Sequence, residues 1–138
     1  MNRIDFSEHI IKELVTLEVE IIYLFGSLAS KTANLKSDVD LGIVFKNRSL
    51  LKDSLFLYKK LYRIFSRISS ISADTELDII LMQQSPIFLQ FEIINTGKIL
   101  YERSSRFRAN YEEYVIQQYI DIKPMLDEFE YVTLESFS

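Results

Sequence analysis

Hydrophobic positions along the chain follow two different spacings. Four short runs are rich in β-branched and aromatic residues, as strands are; they cover residues 19–25 (VEIIYLF), 39–45 (VDLGIVF), 76–82 (ELDIILM) and 98–102 (KILYE). Between these runs, apolar residues recur every three or four positions, which is the spacing of one helix face. Strands and helices that alternate in this way predict an α/β or α+β fold, in which helices pack against a sheet in two or three layers.

Three segments before residue 100 have the helical spacing. An opening helix of roughly 14 residues would place Ile4, Ile10, Ile11 and Leu14 on one face. A second, longer helix is predicted over residues 51–68, with its apolar face at positions 51, 55, 58, 61, 65 and 68. A third helix is predicted within residues 86–97, because a proline suits the first helical turn and a glycine suits the position after the last.

The segment after residue 105 also has helical spacing, and Pro124 is expected to kink or break this last helix. With eight tyrosines and ten phenylalanines, the chain has more apolar side chains than one compact core hides, so the aromatic residues of this segment are predicted to be core or partly an interface. They are Phe107, Tyr111, Tyr114, Tyr119 and Phe129. A surface position is expected for His9, and a solvated face for four basic residues, Lys98, Arg103, Arg106 and Arg108.

Length and composition narrow the possible functions. A chain of 138 residues predicts a single domain over residues 1–138, with a core at about 18–104 and a C-terminal helical segment at about 105–130. A net charge of −4 argues against direct binding of nucleic acid, which usually requires a basic face. There is no cysteine, secretion signal or membrane-length apolar run, so we expect a cytoplasmic protein without disulfides or membrane contact.

The stretch between the first two predicted strands contains the candidate chemistry. The first strand ends at Gly26 and Ser27, and ten residues later the second begins with Asp38, Val39 and Asp40. Alternate residues of a strand share one face, so the two carboxylates would lie about 6.6 Å apart and point together. Carboxylates this close repel unless a cation lies between them, and magnesium accepts such ligands together with phosphate oxygens. The pattern predicts a magnesium site with a phosphorylated ligand.

Two further features fit this site. A strand that ends in Gly26 lets the backbone approach a phosphate, and free amides together with the Ser27 hydroxyl can bind triphosphate oxygens. Asp78, in the strand ELDIILM, is the best candidate for a third carboxylate, because an unpaired acid would be costly to bury there; Glu76 and Asp74 are the alternates. Three acids around two magnesium ions predict a two-metal phosphoryl-transfer centre.

The Gly-Ser pair, ten residues and then Asp-Val-Asp resemble the signature of the DNA polymerase beta-like nucleotidyltransferase superfamily, specifically its minimal nucleotidyltransferase (MNT) branch. SDVDLGIVF, ELDIILM and NTGKILYER are similar to the segments that follow in that family, so the likeness covers residues 20–104. The resemblance implies a small mixed β-sheet flanked by helices. It also implies an antitoxin, partnered in a hetero-oligomer with a HEPN-domain ribonuclease toxin, that transfers AMP from ATP to a tyrosine hydroxyl of the toxin.

The resemblance also assigns roles to individual residues. Gly26 and Ser27 would bind the triphosphate, Asp38 and Asp40 would ligate two Mg²⁺ ions, and Asp78 would ligate the catalytic ion and help to activate the attacking hydroxyl. Two further nucleotide contacts are expected at Lys31 and Ser37. Ser30 and Lys31 stand where many relatives have an arginine and a glycine.

Two alternatives to the adenylyltransferase remain open at this point. The protein could inhibit a toxin by binding alone, without catalysis. It could also transfer a nucleotide to a small molecule of the aminoglycoside type, although larger relatives have an additional domain for the acceptor. The sequence does not specify the nucleoside triphosphate, the number of AMP groups transferred or the stoichiometry with a partner.

Overall fold

The structure is a computed structural model that describes residues 6–26, 39–68 and 76–136. In chain order its elements are α1 (Glu8–Thr16), β1 (Val19–Phe25), β2 (Val39–Phe45), a 3-10 helix (Arg48–Asp53), α2 (Ser54–Phe65), β3 (Leu77–Leu81), a short 3-10 turn (Met82–Gln84), α3 (Ile87–Thr96), β4 (Lys98–Glu102) and α4 (Ser105–Ser136). The four predicted strands are confirmed, because each is marked by a short, strongly apolar run.

The four strands form one mixed sheet in the order β3-β2-β1-β4. β1 lies in the interior of this sheet and pairs antiparallel with both β2 and β4, whereas β2 and β3 are parallel. A parallel pair needs a crossover connection, and the 3-10 helix and α2 lie within the one between β2 and β3. The α/β class, with a small mixed sheet flanked by helices, is therefore confirmed.

Each face of the sheet carries its own hydrophobic core, so the molecule has three layers. On one face, Leu14 of α1 and Leu61 of α2 pack against Leu41 and Ile43 of β2. On the other face, side chains of the sheet pack against α3 and α4 in a smaller cluster composed of Ile21, Tyr23, Val44, Met82, Ile93, Tyr111 and Val115. Both faces of the central strands are buried, which explains why their sequences are apolar almost without interruption.

The first two helices differ from prediction in length and in phase. α1 begins after Ser7, whose hydroxyl accepts a hydrogen bond from the Ile10 amide at 3.3 Å, so it is shorter than predicted. Asp53 caps α2 in the same way, through the Phe56 amide at 3.2 Å. The predicted apolar face of α2 is partly wrong, because Leu55 is 64% exposed whereas Leu57 is 3% exposed.

The ends of the last two helices are set by different features. α3 follows Pro86 and ends at Gly97, as predicted. Gly97 has an ordinary φ of −80°, but a Cβ there would lie 2.5 Å from the Ile93 carbonyl oxygen and 3.0 Å from that of Leu24. α4 continues as one helix through Pro124, so this proline does not break the helix, and a kink at Pro124 stays a prediction. Within the described ranges, none of the helices has both the length and the apolar character required of a transmembrane segment.

Candidate active site

Two carboxylates lie side by side at one end of the sheet. Asp40 is the second residue of β2, and in the strand register it lies opposite Asp78 of β3 and opposite Phe25 of β1. Neighbouring strands are about 4.8 Å apart, so paired residues present their side chains close together. Val39 and Leu41 belong to the core beneath α1 and α2. Because strand residues alternate, Asp40 and Asp78 share the opposite face.

Gly26 lies directly against the Asp40 side chain. It follows the last residue of β1 and has a φ of +79°, a left-handed conformation that glycine adopts without strain. A Cβ at this position would collide with Asp40 Oδ2 and would lie 3.1 Å from Asp40 Cγ. Glycine is therefore required at this turn for two independent reasons, its backbone angle and the close approach of the carboxylate.

Three of the predicted site residues are thus placed at one location, Gly26, Asp40 and Asp78. The other four, Ser27, Lys31, Ser37 and Asp38, lie outside the residues that the structure describes, as does the alternate Asp74. Their roles stay predictions.

The reasoning that selected Asp78 needs a correction. An acid in this apolar strand was expected to be costly to bury, but Asp78 is exposed because β3 is an edge strand of the sheet. The alternate, Glu76, is also exposed and precedes β3; its carbonyl oxygen accepts a hydrogen bond from the Val39 amide at 2.8 Å. Only Asp78 is paired with Asp40 in the register, so the geometry favours Asp78.

The donor set at this location suits Mg²⁺ and a nucleotide. Carboxylate oxygens are hard ligands, and Mg²⁺ commonly takes one or two of them and completes its shell with phosphate oxygens and water. In residues 6–26, 39–68 and 76–136 there is no cluster of three or more acidic, histidine or cysteine ligands. Asp40 and Asp78 could therefore provide two protein ligands, with the phosphates of the nucleotide completing the coordination.

A hydrogen-bonded network lies on the same face of the sheet, and the sequence pattern did not predict it. The hydroxyl of Tyr23, a side chain of β1 that is 1% exposed, donates to Glu112 Oε2 of α4 at 2.6 Å. Arg108 binds the same glutamate at 3.4 Å and binds Glu102 of β4 at 2.7 Å. Burial and the bond to Glu112 raise the pKa of Tyr23 well above its usual value. The network fastens α4 to the strand that ends at Gly26.

The predictions for basic and aromatic side chains are partly confirmed. Arg103 and Arg108 form ion pairs with acids of this chain, Arg103 with Glu20 at 3.8 Å, so they are not a free basic face. His9 is on the surface, with a side chain 75% exposed. Among the aromatic residues of α4, Tyr111 is buried whereas Tyr114 is 52% exposed.

A separate cavity of about 490 Å³ lies away from the carboxylates. It is lined by Arg48, which follows β2, by Gln83 and Ser85, which follow β3, and by Tyr111 of α4. These residues lie beyond the ends of β2 and β3, whereas Asp40 and Asp78 lie near the starts of the same strands. The cavity is therefore at the opposite end of the sheet from the candidate active site.

Comparison with known proteins identifies the family of this chain. The family model described as Polymerase beta, Nucleotidyltransferase matches residues 8–106. This chain therefore belongs to the polymerase beta nucleotidyltransferase family. No functionally curated protein matches the sequence.

Several solved structures share the fold. A chain of a toxin–antitoxin complex crystallised with AMP-PNP superposes with a TM-score of 0.60 and 19% identity, covering 91% of this chain and 99% of that chain. A chain of the MntA–HepT toxin–antitoxin complex superposes with a TM-score of 0.59 and 18% identity, covering 88% of this chain and 94% of that chain. A third match is a chain of a structure described as tri-AMPylated Shewanella oneidensis HEPN toxin in complex with MNT antitoxin. It superposes with a TM-score of 0.54 and 18% identity, covering 88% of this chain and 93% of that chain. The predicted fold class and family are confirmed.

Proposed function

We propose that this protein is the antitoxin of a HEPN/MNT toxin–antitoxin pair and that it transfers AMP from ATP to a tyrosine hydroxyl of the toxin. The observation that carries the proposal is the register of Asp40 opposite Asp78, with Gly26 packed against the Asp40 carboxylate. Two acids of neighbouring strands beside a glycine turn provide the ligands and the backbone access that a metal–triphosphate complex requires.

The reaction exchanges one phosphate ester bond for another. The acceptor oxygen attacks the α-phosphorus of ATP, the bond between that phosphorus and the oxygen bridging to the β-phosphate breaks, and pyrophosphate leaves with the bonding electrons. The hydroxyl proton passes to the Asp78 carboxylate and then to solvent. Asp38, Asp40 and Asp78 would hold two Mg²⁺ ions, which when bound neutralise the negative charge on the phosphates. The protein contributes alignment of the attacking oxygen with the leaving group.

The choice of a protein acceptor is supported by the relatives. One similar structure is described as a tri-AMPylated HEPN toxin in complex with its MNT antitoxin, and another as a toxin–antitoxin with AMP-PNP, an ATP analogue. The structural match extends over 93–99% of the matched chains of these complexes. A partner that carries the acceptor tyrosine is therefore the natural second substrate.

The proposal is tested by intact-mass spectrometry of a purified HEPN protein encoded beside this gene, after incubation with this protein, ATP and Mg²⁺. We expect a mass gain of one or more adenylyl groups. Replacing Asp40 by Asn removes a charged ligand and should slow transfer by at least about a hundredfold. Asp53→Asn is the matched control, because asparagine caps a helix as well as aspartate does, and it should retain full activity.

Two results would assign a different function. If no mass is gained while a stable complex still forms, the protein inhibits by contact alone. If a small aminoglycoside is adenylylated in the absence of any protein acceptor, the enzyme is a small-molecule transferase. Full activity of Asp40→Asn would exclude the proposed role of the acid pair.

A further inference from the structure

α4 is too long to be covered by the sheet beneath it. Its 32 residues extend about 48 Å at a rise of about 1.5 Å per residue. β1 has seven residues, which extend about 23 Å at about 3.3 Å per residue. Part of α4 must therefore project beyond the sheet.

The projecting part lies at the end of the sheet that carries the candidate active site. β4 pairs with β1 so that Lys98 lies opposite Leu24 and Glu102 lies opposite Ile21. α4 starts just after Glu102, at the Ile21 end, and Leu126 of α4 lines the same groove as Thr96, the last residue of α3. The next residue, Gly97, closely approaches the Leu24 carbonyl. The helix therefore runs toward the end of β1 where Gly26 and Asp40 lie.

A groove lies between α3 and α4, with apolar residues along its walls and the acids Glu92 and Asp127 beside them. Its aromatic and aliphatic walls are Phe88 and Phe91 of α3 and Tyr119 and Leu126 of α4, and its volume is about 510 Å³. The rings of Phe91 and Tyr119 are stacked, 3.9 Å apart and 5° from parallel, so this contact joins α3 to α4 within the groove. Phe88, which lines this groove, is 50% exposed. Exposed apolar side chains that line a groove mark interaction surfaces.

The projecting segment also carries the net charge of the chain. The whole sequence has 20 acidic and 16 basic residues, and residues 121–136 hold five of the acidic and one of the basic residues. The acidic and basic residues in the rest of the chain are therefore equal in number, and the net charge of −4 comes from this segment. Its one basic residue, Lys123, already pairs with Asp127 at 2.9 Å.

We infer that the α3–α4 groove is the docking surface for the acceptor protein, and that the acceptor fills it with an apolar strip flanked by lysine or arginine side chains. A second copy of this chain would bring two acidic segments together, which like-charge repulsion opposes. The inference rests on the proposed function and deepens it. An acceptor bound in this groove lies next to the end of the sheet that holds Asp40 and Asp78. The acceptor hydroxyl must reach that end to attack the nucleotide.

Association with the purified neighbouring HEPN protein, measured by calorimetry, tests the apolar part. Phe88→Ser and Leu126→Ser, two lining residues of the groove, should each weaken binding, and the double variant should raise the dissociation constant by roughly tenfold or more. Leu55→Ser is the matched control, because Leu55 is 64% exposed on α2, across the sheet, and its loss should leave binding unchanged. Circular dichroism melting is used to check that all four variants fold.

The charge is tested separately. Glu128→Lys reverses an exposed charge of the projecting segment, whereas Glu113→Lys reverses an exposed charge earlier in α4. We expect Glu128→Lys to lower the association rate severalfold at low salt and to weaken the salt dependence of that rate. Glu113→Lys should associate at a rate close to that of the unaltered protein.

Binding and catalysis are read independently. For the groove variants, AMP transfer should show a raised KM for the acceptor and an unchanged kcat. If the unaltered protein binds the HEPN protein but transfers no AMP, and the groove variants lose binding, the docking surface stands and the proposed chemistry fails. Binding that is unaffected by both groove substitutions overturns the inference. So does sedimentation that shows a homodimer of this chain which the same substitutions dissociate.

Discussion

Gly26 is the residue at which backbone conformation and candidate chemistry coincide. Gly26→Ala would force a left-handed φ on alanine, at a cost of about 1–2 kcal/mol, and would also push the Asp40 carboxylate aside. We expect a lower free energy of unfolding and a larger loss, of at least about tenfold, in AMP transfer. Chemical unfolding and the intact-mass assay measure the two effects.

Gly97→Ala separates strain from chemistry. A Cβ at Gly97 contacts backbone oxygens of Ile93 and Leu24 rather than a candidate catalytic side chain. It should lower stability while the remaining folded protein transfers AMP at close to the normal rate. An equal loss of transfer in both variants would mean that the Gly26 effect is only destabilisation.

Tyr23 makes stability depend on alkaline pH. Burial and the bond to Glu112 raise its pKa above the usual value of about 10, so the folded state keeps a proton that the unfolded chain releases. Its stabilising contribution is complete below about pH 10 and falls as the pH rises further. Tyr23→Phe should lose about 1 kcal/mol at neutral pH, because the hydrogen bond is lost. Its free energy of unfolding should also fall less steeply above about pH 10 than that of the unaltered protein.

Urea unfolding at a series of pH values measures this difference. Tyr111 is buried too and its pKa is also raised, so Tyr111→Phe should reduce the same slope without breaking the bond to Glu112. Parallel stability curves for the unaltered protein and both variants would contradict the assignment.

Among the elements, strands were predicted more accurately than helices. Each strand is marked by a short, mostly apolar run, and β1, β2 and β4 have the predicted bounds. In α2 the sequence LFLY offers four consecutive apolar positions, and periodicity alone does not choose between Leu55 and Leu57. The choice depends on packing against the sheet. Similarly, Tyr23 and Glu112 are 89 positions apart, so no local pattern indicates their bond.

The phase of α2 has a measurable consequence. Leu57 is 3% exposed in the core beneath the sheet, and Leu57→Ala should cost about 2–5 kcal/mol through lost burial and a residual cavity. Leu55→Ala removes the same atoms from a side chain that is 64% exposed and should cost less than about 1 kcal/mol. Urea denaturation of the pair measures both values, and equal losses would contradict the helix phase of the structure.

For the whole molecule, ligand binding should appear as increased stability. A ligand that binds only the folded state at a hundred times its dissociation constant adds about 2.7 kcal/mol, which corresponds to several degrees in Tm. We expect Mg²⁺ with a non-hydrolysable ATP analogue to give this shift and chelation of the metal to remove most of it. Differential scanning calorimetry measures the effect.

The same calorimetry separates binding from catalysis. Asp40→Asn should lose the metal-dependent part of the shift, and Asp53→Asn should keep it. A full shift in Asp40→Asn would place the metal–nucleotide complex elsewhere in the molecule.

The parallel pairing of β2 with β3 also links activity to folding. Asp40 and Asp78 come from strands joined by the crossover that contains α2, and their meeting depends on the register between those strands. A slip of one residue would turn Asp78 to the face that packs against α1 and α2. A newly made chain with a misregistered sheet would thus be compact yet unable to assemble its acid pair. Recovery of AMP transfer during refolding therefore reports the correct alignment of β2 and β3, an event that circular dichroism does not distinguish from simple collapse.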